Sequence, residues 1–397
     1  MSDELPSGFR VGGVHCGIKS DANAEDLTLI IADEPAVAAG VYTQNVVYAA
    51  SVGRNREITP CDGIRAVVAN SGNANTCTGE RGESDNRRMA KLAGAVCNAD
   101  EGQVLVMSTG IIGEYLPMER IAAGIESVGQ SMGTDKDSLT RAASGILTTD
   151  KFEKISTRTV ALADANVRIT GIAKGAGMIG PRMATMLCAI MTDAKLVPTD
   201  AQAALKCAVE QSFNCISVEG HMSTSDTVLL LASGKVHDAP LSKTDLSKFQ
   251  TTLNELCVEL AKMIPKDGEG ASHLIEIEVK GCATRQDAHQ IAKTIANSAL
   301  VKTGVAGNDP NWGRIVSAAG YSGVNFSPHG LTLRLNDHLL YESGEPRPFD
   351  ASVVSASLRD QRKTFIKLEL SEGDAGCTFW TSDLTLEYVR FNSDYHT

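Results

Sequence analysis

Residues 174–193 read Lys-Gly-Ala-Gly-Met-Ile-Gly-Pro-Arg-Met-Ala-Thr-Met-Leu-Cys-Ala-Ile-Met-Thr-Asp, and the character of this stretch changes halfway along. Its first part is rich in glycine and contains a proline, which is typical of a tight loop. Its last part is a continuous apolar run of the kind that forms a buried strand. The stretch therefore predicts a loop that enters a strand, with Thr185 at the junction.

Thr185 has the position expected of a nucleophile that is activated by its own chain end. A threonine hydroxyl is a poor nucleophile at neutral pH unless a base lies beside it, and a chain-terminal threonine carries its α-amine as that base. An unperturbed α-amine has a pKa of about 7.7 to 8.0, so much of it is neutral near working pH. Because Thr185 is internal in this sequence, the chemistry requires cleavage of the bond between Ala184 and Thr185.

Two other interpretations of the glycine-rich loop compete with this one. Residues 175–180 match the dinucleotide-binding pattern G-x-G-x-x-G, with a predicted strand before them at residues 167–173 and an acidic residue, Asp200, at about the expected distance. Pro181 and the strand-like run after it fit that pattern poorly, because a long amphipathic helix should follow. The other interpretation is a plain turn between two strands, which the spacing alone would favour.

Six further segments carry motifs that occur in one known family in the same order. They are Asn-Ser-Gly-Asn-Ala-Asn at 70–75, Ser-Thr-Gly-Ile-Ile-Gly at 108–113, Thr-Thr-Asp at 148–150, Asp-Gly-Glu-Gly-Ala at 267–271, Asn-Asp-Pro-Asn-Trp-Gly-Arg at 308–314 and Asn-Ser-Asp-Tyr at 392–395. Together with residues 174–193, these motifs resemble the glutamate N-acetyltransferase (ornithine acetyltransferase) family of arginine biosynthesis, and they span nearly the whole chain. Several independent motifs in one order are far more specific than any single pattern.

This resemblance implies a self-cleaving acetyltransferase. Cleavage between Ala184 and Thr185 would give an α chain of residues 1–184 and a β chain of residues 185–397, with Thr185 at the new terminus. Thr185 would accept the acetyl group of N-acetylornithine as an ester and pass it to glutamate. The sequence would then encode an acyltransferase with a two-step, ping-pong reaction.

Other matched positions imply an oxyanion hole and a substrate pocket. Thr109 and Gly110 would supply a hydroxyl and a backbone N–H to the negative charge of the tetrahedral intermediate. The substrate-binding residues that the resemblance implies are Thr148, Lys174, Thr185, Glu269, Asn392 and Thr397. Without this context, Lys174 would be interpreted as a solvated loop charge and residues 267–270 as a plain turn. A chain end is usually frayed, so binding through the tail requires that the tail be held down.

The order of predicted elements indicates an α+β protein. Strands and helices do not alternate regularly over the first 280 residues, which suggests layered sheets covered by helices. The resemblance implies an αββα sandwich similar to that of N-terminal nucleophile enzymes. We therefore predict a catalytic domain at residues 1–280 and a smaller α+β domain at residues 281–397 whose tail reaches the active site. Periodicity also predicts separate strands at 26–32, 37–43 and 384–389 and a single helix at 285–303.

Composition limits the partners of the protein. The 397 residues carry a net charge of −11, with a pI near 5.3. This charge argues against nucleic acid or an anionic membrane as the main partner, because both attract a basic surface. We expect small amino-acid substrates and no bound cofactor, with acetyl-CoA as an optional co-substrate. The resemblance implies paired αβ units in an α2β2 or larger assembly.

Cysteines and histidines give no sign of a metal site. The ten cysteines are scattered without C-x-x-C or metal-ligand spacing and are interpreted as reduced thiols. The eight histidines form no triad or metal pattern, so no metal is expected. Cys188 lies three residues after Thr185, but its place in the apolar run predicts a buried core residue. The acidic start of the chain lacks the features of a signal or transit peptide, and no apolar run reaches eighteen residues, which predicts a cytoplasmic protein.

Some features leave alternatives open. Arg182 stands where the family commonly has asparagine, and His221 lies in a segment where acidic and threonine residues are usual. We expect these departures to affect the rate of self-cleavage or the substrate preference. Residues 308–314 are interpreted as a packed supporting loop, and residues 70–75 as a polar loop near the site. The alternative function is an aminopeptidase or amidase that uses the same terminal threonine but passes the acyl group to water, and the third is a nucleotide-binding protein.

Overall fold

The computed structural model describes residues 4–180 and 186–394, and within these ranges the chain forms two mixed β-sheets layered with helices. The strands are, in chain order, β1 (Phe9–Val14), β2 (Leu27–Tyr42), β3 (Cys61–Asn73), β4 (Val104–Ile111), β5 (Lys154–Ala161), β6 (Asn166–Lys174), β7 (Leu187–Thr192), β8 (Ile216–Ser217), β9 (Thr227–Ala232), β10 (Leu274–Cys282), β11 (Thr332–Leu335), β12 (His338–Glu342), β13 (Glu345–Pro346), β14 (Lys363–Glu369) and β15 (Ala375–Ser382). The predicted α+β class is confirmed. In the part of the chain that the structure covers, no helix combines the length and apolar character needed to cross a membrane.

Helices pack on both sheets and connect them. They are α1 (Ala50–Ile58), α2 (Gly79–Val96), α3 (Met118–Gln130), α4 (Lys136–Ser144), α5 (Pro198–Gln211), α6 (Lys243–Lys266), α7 (Arg285–Ala296), α8 (Ala299–Ala306), α9 (Trp312–Gly320), α10 (Ala351–Arg359) and α11 (Leu386–Asp394). Helices α2 and α3 cover one end of the first sheet. Helices α5 and α6 cover its other end and share one large core with the second sheet.

The first sheet has the strand order β4-β3-β2-β9-β7-β6-β5, with β1 also paired to β2. The sixteen residues of β2 form one long strand where two were predicted. Its pairing is irregular between Ile31 and Ala36, where an exposed Asp-Glu-Pro segment interrupts the ladder. Such an irregularity bends a strand without ending it, so the polar segment that looked like a break is a bend.

This bend folds the first sheet over on itself. The end of β3 lies beside the start of β2, and the start of β9 lies beside the end of β2. If β2 were straight, these two ends would be roughly 50 Å apart. Yet Thr76, just after β3, and Thr224, just before β9, have hydroxyl oxygens 3.0 Å apart. The two halves therefore face each other, and apolar side chains from both halves fill the space between them, among them Ile30, Val67, Met107, Ile172 and Leu229.

Strand pairing at the glycine-rich loop excludes the dinucleotide-binding interpretation. Strand β6 ends at Lys174 and pairs antiparallel with β7, with Lys174 opposite Leu187. A dinucleotide-binding βαβ unit needs parallel strands joined by a helix, and β7 begins only a short loop after β6. The apolar run after Thr185 is a fully buried strand, as predicted. Cys188 lies inside that strand and is inaccessible to solvent.

The second sheet has the order β13-β12-β11-β14-β10-β15-β8. The predicted domain boundary at residue 280 falls inside β10, which is an interior strand of this sheet. Strand β8, from the middle of the chain, pairs parallel to β15 at the sheet edge. The division of the chain between the two sheets therefore does not coincide with the predicted domain boundary at residue 280.

Two predicted elements are wrong. The predicted single helix at 285–303 is two helices, α7 and α8, because the Ser298 side chain accepts a hydrogen bond from Val301 N and so caps a new helix. Residues 384–389, predicted as a strand, lead into α11. The alternating Leu-Thr-Leu-Glu-Tyr-Val pattern suits a strand, but Thr385 Oγ1 accepts a hydrogen bond from Tyr388 N, and the resulting turn starts a helix.

Candidate active site

A small cavity of about 90 Å³ lies where the two halves of the first sheet meet the tail helix α11. The residues that line it are Ala74, Thr109, Gly110, Ile112, Thr148, Thr149, Gly177, Met178, Ser223, Thr224, Ser225, Glu269 and Asn392. A larger groove of about 870 Å³, along α6 and β10, contains none of the predicted site residues. We place the site in the smaller cavity, because polar groups from distant parts of the chain converge there.

Thr109 and Gly110, the residues predicted to form an oxyanion hole, lie near the end of β4 and line the cavity. Strand β4 runs parallel to β3 and places Gly110 opposite Gly72. Gly110 has a φ of 133°, and a side chain there would collide with the backbone of Gly72, so both conformation and space require glycine. Thr109 is buried, and its hydroxyl has no hydrogen-bond partner among the residues that the structure covers. An uncommitted buried donor at a cavity wall is suited to stabilise a developing oxyanion.

Lys174 is a buried cation of the site and not a solvated loop charge. Only 1% of the side chain is exposed. Its Nζ donates a hydrogen bond to Thr148 Oγ1 at 2.7 Å and lies 3.9 Å from Asp150 Oδ2. Burial lowers the pKa of Lys174, and the neighbouring Asp150 carboxylate opposes that change. Thr148 and Lys174, predicted from separate motifs, are therefore direct partners.

The Glu269 carboxylate forms an anionic wall of the cavity. Its Oε1 accepts a hydrogen bond from Thr149 Oγ1 at 2.7 Å, and its Oε2 accepts one from Asn392 Nδ2 at 3.0 Å. Its backbone N–H donates to Ala176 O at 2.9 Å, which ties the turn to the glycine-rich loop. The segment that would be interpreted as a plain turn without the family resemblance thus presents a carboxylate bonded by Thr149 and Asn392, and the Glu269 backbone is bonded by Ala176.

The tail of the protein reaches this wall through α11. Thr385 Oγ1 donates a hydrogen bond to Gly270 O at 2.7 Å at the start of the helix. One turn from the helix end, Asn392 contacts Glu269. The tail is therefore held against the site as far as Asn392. Thr397, the other predicted tail residue, lies outside the described residues.

Ala184 and Thr185 also lie outside the described residues, but the chain on both sides of them borders the cavity. Before them, Gly177 and Met178 line the cavity wall. After them, Met186 N donates a hydrogen bond to Asp226 Oδ1 at 3.0 Å, next to the cavity-lining Ser225. Both flanks of the predicted nucleophile are thus at the cavity.

Two acids beside this loop, the buried Asp226 and the half-buried Glu219, were not predicted. Burial raises the pKa of Asp226 well above its ordinary value. Glu219 accepts a hydrogen bond from Ile179 N at 2.6 Å, and burial raises its pKa to about 8. Glu219 belongs to the segment that departs from the family pattern. That departure was the only sign in the sequence that Glu219 lies near the site. His221 of the same segment is exposed.

Sequence reasoning also missed several neutral groups of the cavity. Thr149, Ser223, Thr224 and Ser225 line it, and of these only Thr149 belongs to a motif that had been singled out. The serine and threonine run at 223–225 is common in loops and carries no signal of its own. These three residues lie at the site because they come just before β9, whose first residue lies beside the end of β2.

The polar loop at 70–75 reaches the cavity, whereas the loop at 308–314 is packed elsewhere, and its supporting role stays a prediction. In the polar loop, Asn73 Nδ2 donates hydrogen bonds to the carbonyls of Glu114 and Tyr115, and the next residue, Ala74, lines the cavity. In the second loop, Trp312 stacks on Tyr341 with ring centroids 5.4 Å apart, and no residue of that loop lines the cavity. Within the described ranges, no group of three or more His, Cys, Asp or Glu side chains could hold a metal ion.

Comparisons with known proteins show which family the chain is similar to. The profile of the ArgJ family matches residues 10–397. The Arginine biosynthesis bifunctional protein ArgJ of Rhodopirellula baltica is 44% identical over 399 residues, which cover 100% of this chain and 97% of that protein. The protein of the same name from Geobacter sulfurreducens is 43% identical over 392 residues, covering 98% of this chain and 99% of its own length. A crystal structure of the Arginine biosynthesis bifunctional protein argJ from Bacillus halodurans matches with 38% identity and a TM-score of 0.50, over 51% of this chain and 96% of the solved chain.

Proposed function

The chain belongs to the ArgJ family, and on that premise we propose that it is an acetyltransferase of arginine biosynthesis that moves the acetyl group of N-acetyl-L-ornithine to L-glutamate. One observation carries the proposal beyond family membership. The Glu269 carboxylate and the uncommitted Thr109 hydroxyl line one small cavity, and the buried cation Lys174 donates a hydrogen bond to Thr148, which also lines it. Amino-acid substrates carry both a carboxylate and an ammonium group, so such a cavity offers each of them a partner.

In the first half of the proposed reaction, the Thr185 hydroxyl attacks the acetyl carbonyl of N-acetylornithine while the terminal α-amine takes the hydroxyl proton. Thr109 Oγ1 and the Gly110 N–H stabilise the negative charge on the carbonyl oxygen. The amide C–N bond then breaks, and the departing ornithine nitrogen takes the proton from the α-amine. An acetyl ester on Thr185 and free ornithine result.

In the second half, the neutral α-amine of glutamate attacks the ester carbonyl. The same two donors stabilise the second tetrahedral intermediate. The terminal α-amine of Thr185 takes the proton that the glutamate nitrogen loses. The C–O bond to Thr185 then breaks, the α-amine gives that proton to the threonine oxygen, and N-acetylglutamate leaves. The acetyl group is conserved, so the reaction needs no other acetyl source for each turnover.

Self-cleavage between Ala184 and Thr185 is part of the proposal, because only a terminal Thr185 has an α-amine beside its hydroxyl. The comparison with the Bacillus halodurans structure supports it. That solved chain is covered almost completely, yet it accounts for about half of this one, whereas the curated sequences match over their full length. Cleavage near the middle of the chain, as a property of the family, explains why the solved chain is only about half as long as the curated sequences.

Three finer points belong to the same proposal. Acetyl-CoA is proposed as a second acetyl donor, because the matched curated proteins are named bifunctional. The α and β chains are proposed to assemble as α2β2 or a larger complex. The location is proposed to be the cytoplasm, which subcellular fractionation of the producing cell would test.

Intact-mass analysis under denaturing conditions tests the nucleophile first. Wild-type protein should give two fragments, residues 1–184 and 185–397, and Thr185→Ala should stay whole. An uncut wild-type chain after prolonged incubation would remove the base on which the proposal depends.

Acetyl transfer from N-acetylornithine then separates the proposed function from its alternative. A transferase forms N-acetylglutamate in proportion to the ornithine released. An amidase that uses the same threonine releases acetate at the same rate with or without glutamate. Acetate as the only product would therefore replace the proposed function by the amidase.

A further inference from the structure

Lys154 is a fully buried lysine that lies beside the candidate site without lining it. Its side chain has no exposed surface. Its Nζ lies 2.7 Å from Asp150 Oδ1 and 2.7 Å from Asp267 Oδ2. A buried ammonium is costly unless it is paired, and this one is paired twice.

The first partner, Asp150, continues into the Lys174 wall of the pocket, which consists of the cavity-lining Thr148 and the buried Lys174 that donates a hydrogen bond to it. Besides Lys154, its Oδ1 accepts a hydrogen bond from Gly175 N at 2.6 Å. Its Oδ2 accepts one from Thr148 N at 3.0 Å and lies 3.9 Å from Lys174 Nζ. Asp150 therefore fixes the backbone of Thr148 and lies behind the ammonium of Lys174.

The second partner, Asp267, continues into the anionic wall. Its Oδ2 accepts hydrogen bonds from Lys154 Nζ and from Lys151 N, at 2.7 and 3.0 Å. Two residues later the same turn presents Glu269. The Lys154 ammonium therefore contacts both the turn that carries Thr148 and Asp150 and the turn that carries Asp267 and Glu269. These turns come from opposite sides of the proposed cleavage bond, so the Lys154 contacts also join the α and β chains.

The charges of this cluster balance only when Lys154 is present. Burial alone would raise the pKa of Asp150, but Lys174 and Lys154 outweigh burial and lower it to about 2. Burial raises the pKa of Asp267, and Lys154 opposes that rise. Without Lys154, Asp267 would lose its cation and Asp150 would keep only the longer contact with Lys174, 3.9 Å away, among the ion pairs of the described residues. Lys174 would then be drawn toward Asp150 and away from a substrate carboxylate.

We propose that Lys154 is a positioning residue for the substrate pocket, which holds Asp150 and Asp267 together and thereby fixes the Lys174 wall and the Glu269 wall at the spacing an amino acid requires. The inference rests on the proposed function, because it names the amino-acid substrates of that pocket. Lys154 touches no substrate and acts through its two carboxylate partners.

The test is steady-state kinetics of Lys154→Met beside wild type, with N-acetylornithine and glutamate varied in turn. Displacement of binding groups by about 1 Å predicts KM values raised about 10- to 100-fold, with kcat changed less than about threefold. The acid limb of kcat/KM should move to higher pH, because a carboxylate that loses its cation takes up a proton more readily. The other charged groups that face the cluster are Lys19, Lys174, Asp226 and Glu269. Lys154→Arg keeps the charge and should recover most of the loss in KM.

Two further variants separate positioning from simple stability. Lys154→Met/Asp267→Asn leaves one carboxylate for Lys174, so it should fold more readily than the single variant and still show the raised KM. Lys302 is a matched control: it is buried too, but it contacts Thr381 and Ser382 in the second sheet. Lys302→Met should lower the melting temperature and leave KM unchanged.

The outcomes are distinct. Raised KM and a shifted acid limb in both Lys154→Met variants, with recovery in Lys154→Arg, support the inference. A lower melting temperature with unchanged KM and pH profile would make Lys154 merely structural and overturn it. If wild-type protein transfers no acetyl group, the proposed function fails separately. Calorimetric binding of glutamate then decides: weaker binding to Lys154→Met supports the positioning role, and equal binding overturns it.

Discussion

The backbone of Gly177 passes so close to Glu269 that a side-chain carbon on Gly177 would lie less than 3.0 Å from the Glu269 carboxylate. The constraint at Gly177 is one of space and not of conformation, since its φ lies outside the left-handed region, and the flexible Glu269 side chain must move to admit the added carbon. The contact joins the glycine-rich loop that precedes the proposed cleavage bond to the anionic wall of the pocket. A substitution at Gly177 can therefore displace the Glu269 carboxylate while residue 269 remains glutamate.

Gly177→Ala should displace the Glu269 carboxylate from Thr149 and Asn392. We expect KM for the amino-acid substrates to rise about 10- to 100-fold, since the binding group moves while the reacting groups stay. Overpacking should also cost about 1–3 kcal/mol of the free energy of unfolding. Gly102→Ala is the control, because no atom lies within 4 Å of the added carbon there. Equal kinetics in the two variants would show that the carboxylate tolerates the displacement.

Thr109→Ala should remove one of the two oxyanion donors. We expect kcat to fall about 100- to 1000-fold with little change in KM, because the donor acts on charge that develops only in the transition state. Thr109→Ser keeps the hydroxyl and should retain most of the turnover. A rise in KM with unchanged kcat in Thr109→Ala would instead assign Thr109 to ground-state binding.

Asn392→Asp should weaken the tail contact more than Asn392→Ala does. The Asn392 amide donates to the Glu269 carboxylate at 3.0 Å, and a second carboxylate at that position would repel the first. Because Asn392 is exposed, we expect a modest effect, roughly a 10-fold rise in KM for Asn392→Asp. Kinetics of the two variants at low and high salt check the cause, since salt should reduce the difference between them. A difference that does not respond to salt would contradict repulsion.

Glu219 should make the protein less stable as pH rises. Burial raises its pKa to about 8 from an ordinary 4.5. Between those pH values the folded protein holds a proton that the unfolded chain has released. The contribution of Glu219 to the free energy of unfolding is therefore fully present below pH 4.5 and is lost as the pH rises through 8. Glu219→Gln does not titrate, so between pH 5 and 8 its stability relative to wild type should increase by on the order of 4 kcal/mol.

Urea unfolding of wild type and Glu219→Gln at pH 5 and pH 8 measures that difference. Glu342→Gln, at a surface ion pair with Arg347, is a control that should show little change with pH. A constant difference between Glu219→Gln and wild type at both pH values would mean that Glu219 titrates normally in the folded protein.

Much of the site could be predicted from the sequence because its residues lie in short motifs. Thr109, Gly110, Thr148, Glu269 and Asn392 were all named from such motifs, and all line the cavity. Each motif fixes a local conformation, such as a strand end or a tight turn, and local conformation depends mainly on neighbouring residues. The role of Thr185 remains a prediction, since it lies outside the described residues.

The missed features depend on contacts between residues far apart in the chain. In the sequence, Lys154 looks like an ordinary charged residue at the start of a strand. Only the tertiary structure shows that it is buried and bonded to Asp267, 113 positions away. The Asp-Glu-Pro segment in β2 looks like a chain break, and only pairing on both sides shows that it is a bend. The alternating pattern before α11 is equally ambiguous, because periodicity over six residues does not decide between strand and helix when a capping hydroxyl is present.

The sequence by itself determined the family, the α+β class and the short motifs that hold Thr109, Gly110, Thr148, Glu269 and Asn392, because these depend on residue type and local order. The tertiary structure decided how those groups meet. The fold of the first sheet at the bend in β2 brings the end of β4 to the loop after β6, and the packing of α11 brings Asn392 to Glu269. Such long-range contacts follow from burying apolar faces against one another, and no short stretch of sequence records which faces will meet.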